Sequence, residues 1–210
     1  MTPMLTRLPV PENPNPYHVI KTSEIYSSPW ITVREDAFHH RQGAQGIYSV
    51  VSIKHQACGV VAIDDKDRLV LVGQWRYPLR EYSWEIPEGG GDPNESPLEC
   101  MKRELAEECQ LSARNWNPLG YYRPSNSKTD EEAFIFLAED LSPCCGKSEN
   151  DEELMVRREP FNECLERISS GELTDGLTVT GIYIAHAYRK GLLPPLSNEM
   201  QQRFFKKRAR

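Results

Sequence analysis

The chain lacks the features that mark membrane-spanning and secreted proteins. It contains no run of about eighteen apolar residues, the length that a membrane-spanning helix requires. Its first residues, Met1 to Pro11, lack the apolar core of a signal peptide. We therefore expect a cytoplasmic protein with no membrane partner.

The chain also lacks a net positive charge and the cysteine spacings of a metal site. The 25 Lys and Arg residues are outnumbered by 31 Asp and Glu residues, which gives a net charge of −6. Because nucleic-acid phosphates require a basic surface, we expect no nucleic-acid partner. An acidic chain can still bind a small phosphate compound, since a bound metal supplies local positive charge. The cysteines show no metal-ligand spacing, and we expect reduced thiols. They are Cys58, Cys100, Cys109, Cys144, Cys145 and Cys164.

The length of 210 residues and the 39% hydrophobic content suit one domain with a full core. We see no internal repeat. The first thirty residues hold six prolines, too many for a packed helix or a central strand, so they predict an extended arm. We divide the chain into a proline-rich arm with N-terminal strands (1–45), a main domain (46–195) and a basic C-terminal tail (196–210). Such a tail is more often a disordered terminus than a binding device.

Apolar runs with β-branched residues predict strands, and two of them, Trp30–Arg34 and Ile47–Ile53, read as a hairpin. Other strands are predicted at 58–64, 69–77, 84–86, 116–122, 131–138 and 154–158. A helix follows Ser96, and amphipathic stretches at 161–168 and 176–190 predict two more. Mixed strands with one helix in the middle and two at the end imply an α+β fold with helices on the faces of a sheet.

The most informative stretch runs from Glu85 to Leu111, where a glycine-rich turn precedes an acidic helix. Ser96 can cap this helix, Pro97 suits its first position, and Glu99 completes a capping box. The glycine turn lets the backbone approach a ligand closely. We therefore expect Gly89, Gly90 and Gly91 to support a metal and a phosphate group, although a simple strand-to-helix turn is the alternative.

Three carboxylates, Glu104, Glu107 and Glu108, share one face of the predicted helix because they stand at i, i+3 and i+4. Their repulsion costs a few tenths of a kcal/mol in water and approaches roughly 4 kcal/mol for a 4 Å pair in a cleft. Arg103 can neutralise one of them. A hard cation such as Mg²⁺, which binds through carboxylates and substrate phosphates, suits the remainder. The alternative is a solvated acidic helix face.

The spaced pattern of this stretch resembles the signature box of the Nudix hydrolases. It comprises Gly89, Glu95 after five residues, and Arg103-Glu104-Leu105-Ala106-Glu107-Glu108 after seven more, followed by Gln110-Leu111. Only Gln110 departs from the family, which has glycine there. Glycine adopts the left-handed conformation of a helix C-cap cheaply, so Gln110 is expected to cost some stability.

The resemblance implies a Nudix-type α/β/α sandwich with a mixed sheet and an N-terminal antiparallel strand extension. It also implies hydrolysis of a nucleoside diphosphate joined to another group. By the same resemblance, Mg²⁺ or Mn²⁺ is held by Glu104, Glu108, in some complexes Glu107, and the main-chain carbonyl at Glu88.

Residues around the box resemble the ADP-ribose pyrophosphatase branch of the family. On the Gln74–Pro78 and Trp84–Gly89 stretches, we assign Arg76 to a substrate phosphate and Glu85 to ligand or metal contact. The planar fork of Arg suits phosphate, although an ordinary surface arginine is the alternative. A polar loop after the box contains Ser125 and Ser127, which we assign to the substrate-binding residues.

The branch often takes a general base from a late acidic loop, and we choose Glu152 from that loop. The family's usual homodimer, with crossing N-terminal segments, would give the proline-rich arm a purpose. We thus expect a metal-dependent hydrolase of ADP-ribose or a related nucleoside diphosphate sugar. The alternatives are a Nudix hydrolase of another dinucleotide or coenzyme, and a Nudix-like sensor that binds without turnover. The intact glutamates of the box argue against the sensor.

Overall fold

The computed structural model describes residues 8–92, 94–146 and 153–207. The chain folds as two compact units, and the boundary between them follows Ser52. None of the helices in the described ranges is long and apolar enough to cross a membrane.

The N-terminal unit is a three-stranded sheet of β1 (Tyr17–Ser27), β2 (Ile31–His40) and β3 (Gln45–Ile53), in that order. β1 and β2 are antiparallel. The predicted N-terminal antiparallel extension is therefore confirmed. Strand β1 lies within the thirty residues that we predict as an extended arm. It can pair with β2 because residues 17–27 contain no proline and so keep every backbone N–H.

In its described residues, the second unit contains two sheets and four helices. Its strands are β4 (Gln56–Ala62), β5 (Arg68–Arg76), β6 (Glu81–Glu85), β7 (Glu88–Gly91), β8 (Leu111–Tyr122), β9 (Ala133–Pro143) and β10 (Met155–Pro160). Its helices are α1 (Pro97–Cys109), α2 (Phe161–Ser169), α3 (Gly176–Arg189) and α4 (Asn198–Phe204). One sheet has the order β10-β5-β6 and is antiparallel. The other, β7-β4-β9-β8, is mixed because β4 and β9 run parallel. The predicted α+β class with a mixed sheet is confirmed.

Strand β9 shows how helices come to cover both faces of the mixed sheet. Successive side chains of a strand point to opposite faces. Phe134 and Phe136 accordingly join the core cluster that contains residues of α1 and α4. Ile135 and Leu137 join the cluster that contains residues of α2 and α3. All four side chains are almost fully buried, so the β9 sequence itself builds two cores.

Residues 198–204, which we assigned to the basic C-terminal tail, form helix α4. The Ser197 side chain accepts a hydrogen bond from the Met200 N–H and caps this helix. The Phe204 side chain is fully buried, and its ring centroid lies 5.2 Å from that of Phe134 and 5.1 Å from that of Phe136. One buried aromatic residue therefore attaches the terminal helix to the core, a contact that the basic composition of the segment does not reveal.

Substituting Phe204 with alanine is expected to destabilise the protein by about 3–5 kcal/mol, because it leaves a cavity between two aromatic rings. For a chain of this size, each 1 kcal/mol lowers Tm by about 2–4 °C. Thermal unfolding followed by circular dichroism measures the change. The matched control is Phe205→Ala, since Phe205 is half-exposed. Equal Tm values for the two variants would contradict the docking of α4.

Candidate active site

Helix α1 begins as the sequence predicts. The Ser96 hydroxyl accepts from the Glu99 N–H, the Glu99 carboxylate accepts from the Ser96 N–H, and Pro97 occupies the first turn. Met101 and Leu105 are fully buried against the core. Because these two residues fix the rotation of the helix, its acidic face is directed away from the core.

Arg103 contacts three carboxylates and offsets their mutual repulsion. Its Nε and Nη2 donate to Glu95 at 2.9 and 3.0 Å. Its Nη1 lies 2.9 Å from Glu104 Oε1 and 2.9 Å from Glu107 Oε2. The hydrogen bonds from Arg103 lower the pKa of Glu95. A single guanidinium thus joins the segment before α1 to two of the box glutamates, where we expected it to neutralise one.

The glycines that we predicted to form a turn lie in strand β7. This strand pairs with β4, and Gly89 stands opposite Cys58. A Cβ atom added to Gly89 would lie 2.1 Å from Glu104 Oε1, far inside contact distance. Only glycine therefore allows the Glu104 carboxylate to lie directly on the β7 backbone, next to the main chain of Glu88. The close approach that we predicted for a ligand is made by a carboxylate of α1.

Gln110 adopts the left-handed conformation that we expect at this cap, with φ 55°. Its side-chain amide offsets part of the cost. Nε2 donates to the carbonyls of Ala106 at 3.2 Å and Gly146 at 3.1 Å, and Oε1 accepts from the Gly146 N–H at 3.1 Å. Gln110 thereby fastens Gly146 to the end of α1, a contact that glycine at position 110 would lack.

A second group of charges surrounds Arg76, at the end of β5. Its Nε donates to both oxygens of Glu85 at 2.9 and 3.0 Å. Its Nη2 bonds to Glu85 Oε2 and, at 2.5 Å, to Glu88 Oε1. Nη1 makes no hydrogen bond with any residue in the described ranges, and the side chain is 34% exposed. One edge of the guanidinium is thus bound to carboxylates, while the Nη1 edge can still receive a phosphate oxygen.

A third carboxylate, Asp175, completes this group. One oxygen from each of Asp175, Glu85 and Glu88 lies within 4.8 Å of the other two. Glu88 Oε2 is buried and accepts no hydrogen bond from the described part of the chain. Burial, together with the charges of Asp175 and Glu85, raises the pKa of Glu88 well above its usual range. Sequence reasoning missed Asp175. Its place before a predicted helix indicates an N-cap, but its approach to Glu88 is a tertiary contact.

The residues of the box fit a hard divalent cation. The side chains of Glu104, Glu107 and Glu108 offer only oxygen ligands, and Glu104 lies against the β7 backbone near the Glu88 main chain. Among the described residues, the oxygens of these three do not converge as closely as those around Asp175. Arg103 holds Glu104 and Glu107 in their present positions. The donor set is nonetheless the kind that Mg²⁺ or Mn²⁺ binds.

The remaining predicted site residues are Ser125, Ser127, Gly90 and Glu152. Ser125 and Ser127 lie in the exposed turn 124–128, where the Ser125 carbonyl accepts from the Thr129 N–H and hydroxyl. Gly90 lies in β7 beside Gly89 and near His55. Glu152 lies outside the described residues. The substrate and catalytic roles of these residues stay predictions.

Comparison with known proteins adds the family. The NUDIX domain model matches residues 53–166, more than half of the chain. An ADP-ribose pyrophosphatase of Mycobacterium tuberculosis (strain ATCC 25618 / H37Rv) is 26% identical over 183 residues, 85% of this chain and 87% of the relative. An ADP-ribose pyrophosphatase of Bacillus subtilis (strain 168) is 32% identical over 133 residues, 62% of this chain and 72% of the relative.

A solved structure has the same fold. The crystal structure of an ADP compounds hydrolase superimposes with a TM-score of 0.78 at 22% identity and covers 84% of this chain and 96% of that one. The box residues, the mixed α+β fold and the matched domain model are all consistent with one family. The chain belongs to the Nudix family and is a Nudix pyrophosphohydrolase.

Proposed function

We propose that the chain hydrolyses the diphosphate bond of ADP-ribose or a related nucleoside diphosphate sugar. Water adds its oxygen to one phosphorus, and the bond from that phosphorus to the bridging oxygen breaks. The products are a nucleoside monophosphate and a sugar phosphate. The two bacterial relatives named as ADP-ribose pyrophosphatases support this substrate class.

One observation carries the proposal: the Glu104 carboxylate lies on the backbone of Gly89. A carboxylate in this position brings the charges of α1 next to the main chain of β7. Anionic side chains and main-chain oxygens would otherwise repel each other in a half-buried site. The Arg103 guanidinium offsets part of this repulsion, and a divalent cation shared with an anionic substrate would offset more of it.

The metal ligands in this proposal are Glu104, Glu107, Glu108 and the main-chain carbonyl of Glu88. When bound, Mg²⁺ or Mn²⁺ polarises a phosphoryl oxygen and lowers the pKa of a bound water. The Arg103 contacts keep Glu104 and Glu107 in place in the structure. They also restrict the geometries in which the two carboxylates can serve as ligands.

Arg76 and Glu85 act as a unit in substrate binding. Glu85 is 2% exposed and binds the guanidinium through both of its oxygens, so it fixes the orientation of Arg76. The Nη1 edge of Arg76 then donates to a phosphate oxygen of the substrate, and a fixed donor loses little entropy on binding. Glu152 remains our proposal for the general base.

The test is a substrate panel. Purified protein is incubated with Mg²⁺, Mn²⁺ or a chelator and with ADP-ribose, other nucleoside diphosphate sugars and dinucleotide coenzymes, and the released phosphomonoester is measured. We expect the highest kcat/KM with ADP-ribose or a related sugar, and no turnover with the chelator. A higher kcat/KM for a dinucleotide would assign the enzyme to another substrate class. Turnover that is unaffected by the chelator would contradict the proposed metal ligands.

We also propose that the chain forms a homodimer through its N-terminal sheet. Large apolar side chains there are exposed by 49% or more, which is unusual for a monomer surface. They are Val19, Ile20, Ile25, Tyr26 and Ile47. A solution mass of about twice that of one chain is expected by light scattering.

The cytoplasmic location and the lack of a nucleic-acid partner stay predictions.

A further inference from the structure

Thr178, in the first turn of α3, makes a buried hydrogen bond to the segment that carries the Arg76 partners. Its side chain is fully buried, and its Oγ1 accepts from the Ile86 N–H at 2.9 Å. Ile86 follows Glu85 directly and is itself fully buried. The bond therefore joins α3 to the short connection between β6 and β7.

The N-terminus of α3 is itself held in place by Asp175. Its Oδ2 accepts from the Thr178 N–H at 2.7 Å. The backbone N–H of Thr178 is thus bound to Asp175, while its hydroxyl is bound to Ile86. These two hydrogen bonds leave Thr178 little freedom to rotate or shift.

Hydrogen bonds connect this network to Arg76. Glu85 stands immediately before Ile86, and its carboxylate binds Arg76 through both oxygens. Glu88 stands two residues after Ile86 and contacts the same guanidinium. A shift of the Ile86 backbone would move both carboxylates, and with them the guanidinium that they hold. α3 lies outside the matched domain, residues 53–166.

We propose that Thr178 is a positioning residue for substrate binding, and that it acts through Ile86 and Glu85 on the orientation of Arg76. This inference rests on the proposed role of Arg76 in binding the substrate diphosphate. The proposed role of Thr178 involves no direct contact with the substrate. Its effect is on KM, because Arg76 binds the phosphates before the reaction begins.

The test compares a substitution that keeps the shape of threonine with one that keeps its hydroxyl group. Thr178→Val keeps the shape but removes the acceptor, so the buried Ile86 N–H loses its partner. Thr178→Ser keeps the acceptor. With ADP-ribose, well below the unfolding temperature, we expect Thr178→Val to raise KM about tenfold with kcat within about twofold of wild type. We expect Thr178→Ser to stay near wild type in both constants.

Two results would overturn the proposal. In one, Thr178→Val lowers Tm but leaves KM unchanged, which is the behaviour of a residue that only supports the fold. In the other, Thr178→Val lowers kcat with KM unchanged, which would place its effect on the chemical step. Thr178→Ser guards against a general folding defect, because it keeps the hydrogen bond and lacks only the methyl group.

A double-mutant cycle tests the route through Glu85. If Thr178 acts by orienting the Glu85–Arg76 pair, Thr178→Val should change KM less than about twofold in a Glu85→Gln background. A full tenfold effect in that background would contradict the route. If the wild-type enzyme does not turn over ADP-ribose, the same cycle is measured by urea unfolding. Additive changes in stability there would overturn the coupling, while a failure of turnover alone bears only on the proposed function.

Discussion

Replacing Glu108 with glutamine is expected to lower kcat for diphosphate hydrolysis at least about a hundredfold, because it removes a charged metal ligand while keeping the side-chain shape. Glu108 lies on the acidic face of α1, and its Oε2 is buried. A neutral amide binds a hard cation less tightly than a carboxylate does. The concentration of Mg²⁺ that gives half-maximal activity should therefore rise as well. Initial rates measured over a Mg²⁺ titration provide both values.

The matched control for this substitution is Glu163→Gln on α2. Glu163 is a half-exposed helical glutamate whose ionic partner, Arg167, is 3.9 Å away. This control should leave kcat and the Mg²⁺ requirement unchanged. If Glu108→Gln keeps its rate within tenfold of wild type, Glu108 is not a metal ligand and the assignment of the acidic face of α1 fails.

Replacing Gly89 with alanine is expected to lower kcat about a hundredfold, since a displacement of about 1 Å at a catalytic site can cost that much. The added methyl group would overlap the Glu104 carboxylate, which would have to leave the β7 backbone. Gly89 lies in an extended strand, so alanine suits its backbone conformation. We therefore expect the protein to remain folded while activity falls.

Gly91→Ala is the matched control, because a Cβ at Gly91 meets its nearest neighbours at 3.8 Å, an ordinary contact distance. The two variants place the same methyl group two residues apart on β7. Steady-state kinetics and thermal unfolding should show a loss of activity only for Gly89→Ala. Equal activity in the two variants would mean that the position of Glu104 on Gly89 has no role in catalysis.

Helix α1 can be predicted from the sequence because the forces that define it are local. The Ser96 cap, the Glu99 capping box and the buried Met101 and Leu105 all follow from spacing within a few turns. The left-handed Gln110 follows from the resemblance, because the family has glycine at this position and glycine adopts that conformation cheaply at a helix C-cap.

Contacts between distant segments cannot be predicted in the same way. The glycines read as a turn, but pairing with β4 makes them strand β7, and local sequence does not encode pairing with a distant strand. The resemblance assigns Arg76 to phosphate but does not indicate that two carboxylates from β6 and β7 bind its guanidinium. Helix α4 is attached to the core by the contact of Phe204 with the rings of Phe134 and Phe136 in β9. The basic residues around Phe204 do not indicate that contact.

The most direct measurement of the proposed reaction is ³¹P NMR of ADP-ribose incubated with the enzyme and Mg²⁺. We predict that both diphosphate resonances disappear together and are replaced by two phosphomonoester resonances of equal intensity, one from the nucleotide and one from the sugar phosphate. The Glu108→Gln protein should leave the diphosphate resonances intact over the same period. If the wild-type enzyme binds ADP-ribose but leaves both diphosphate resonances unchanged, or releases only inorganic phosphate, the proposed reaction is wrong.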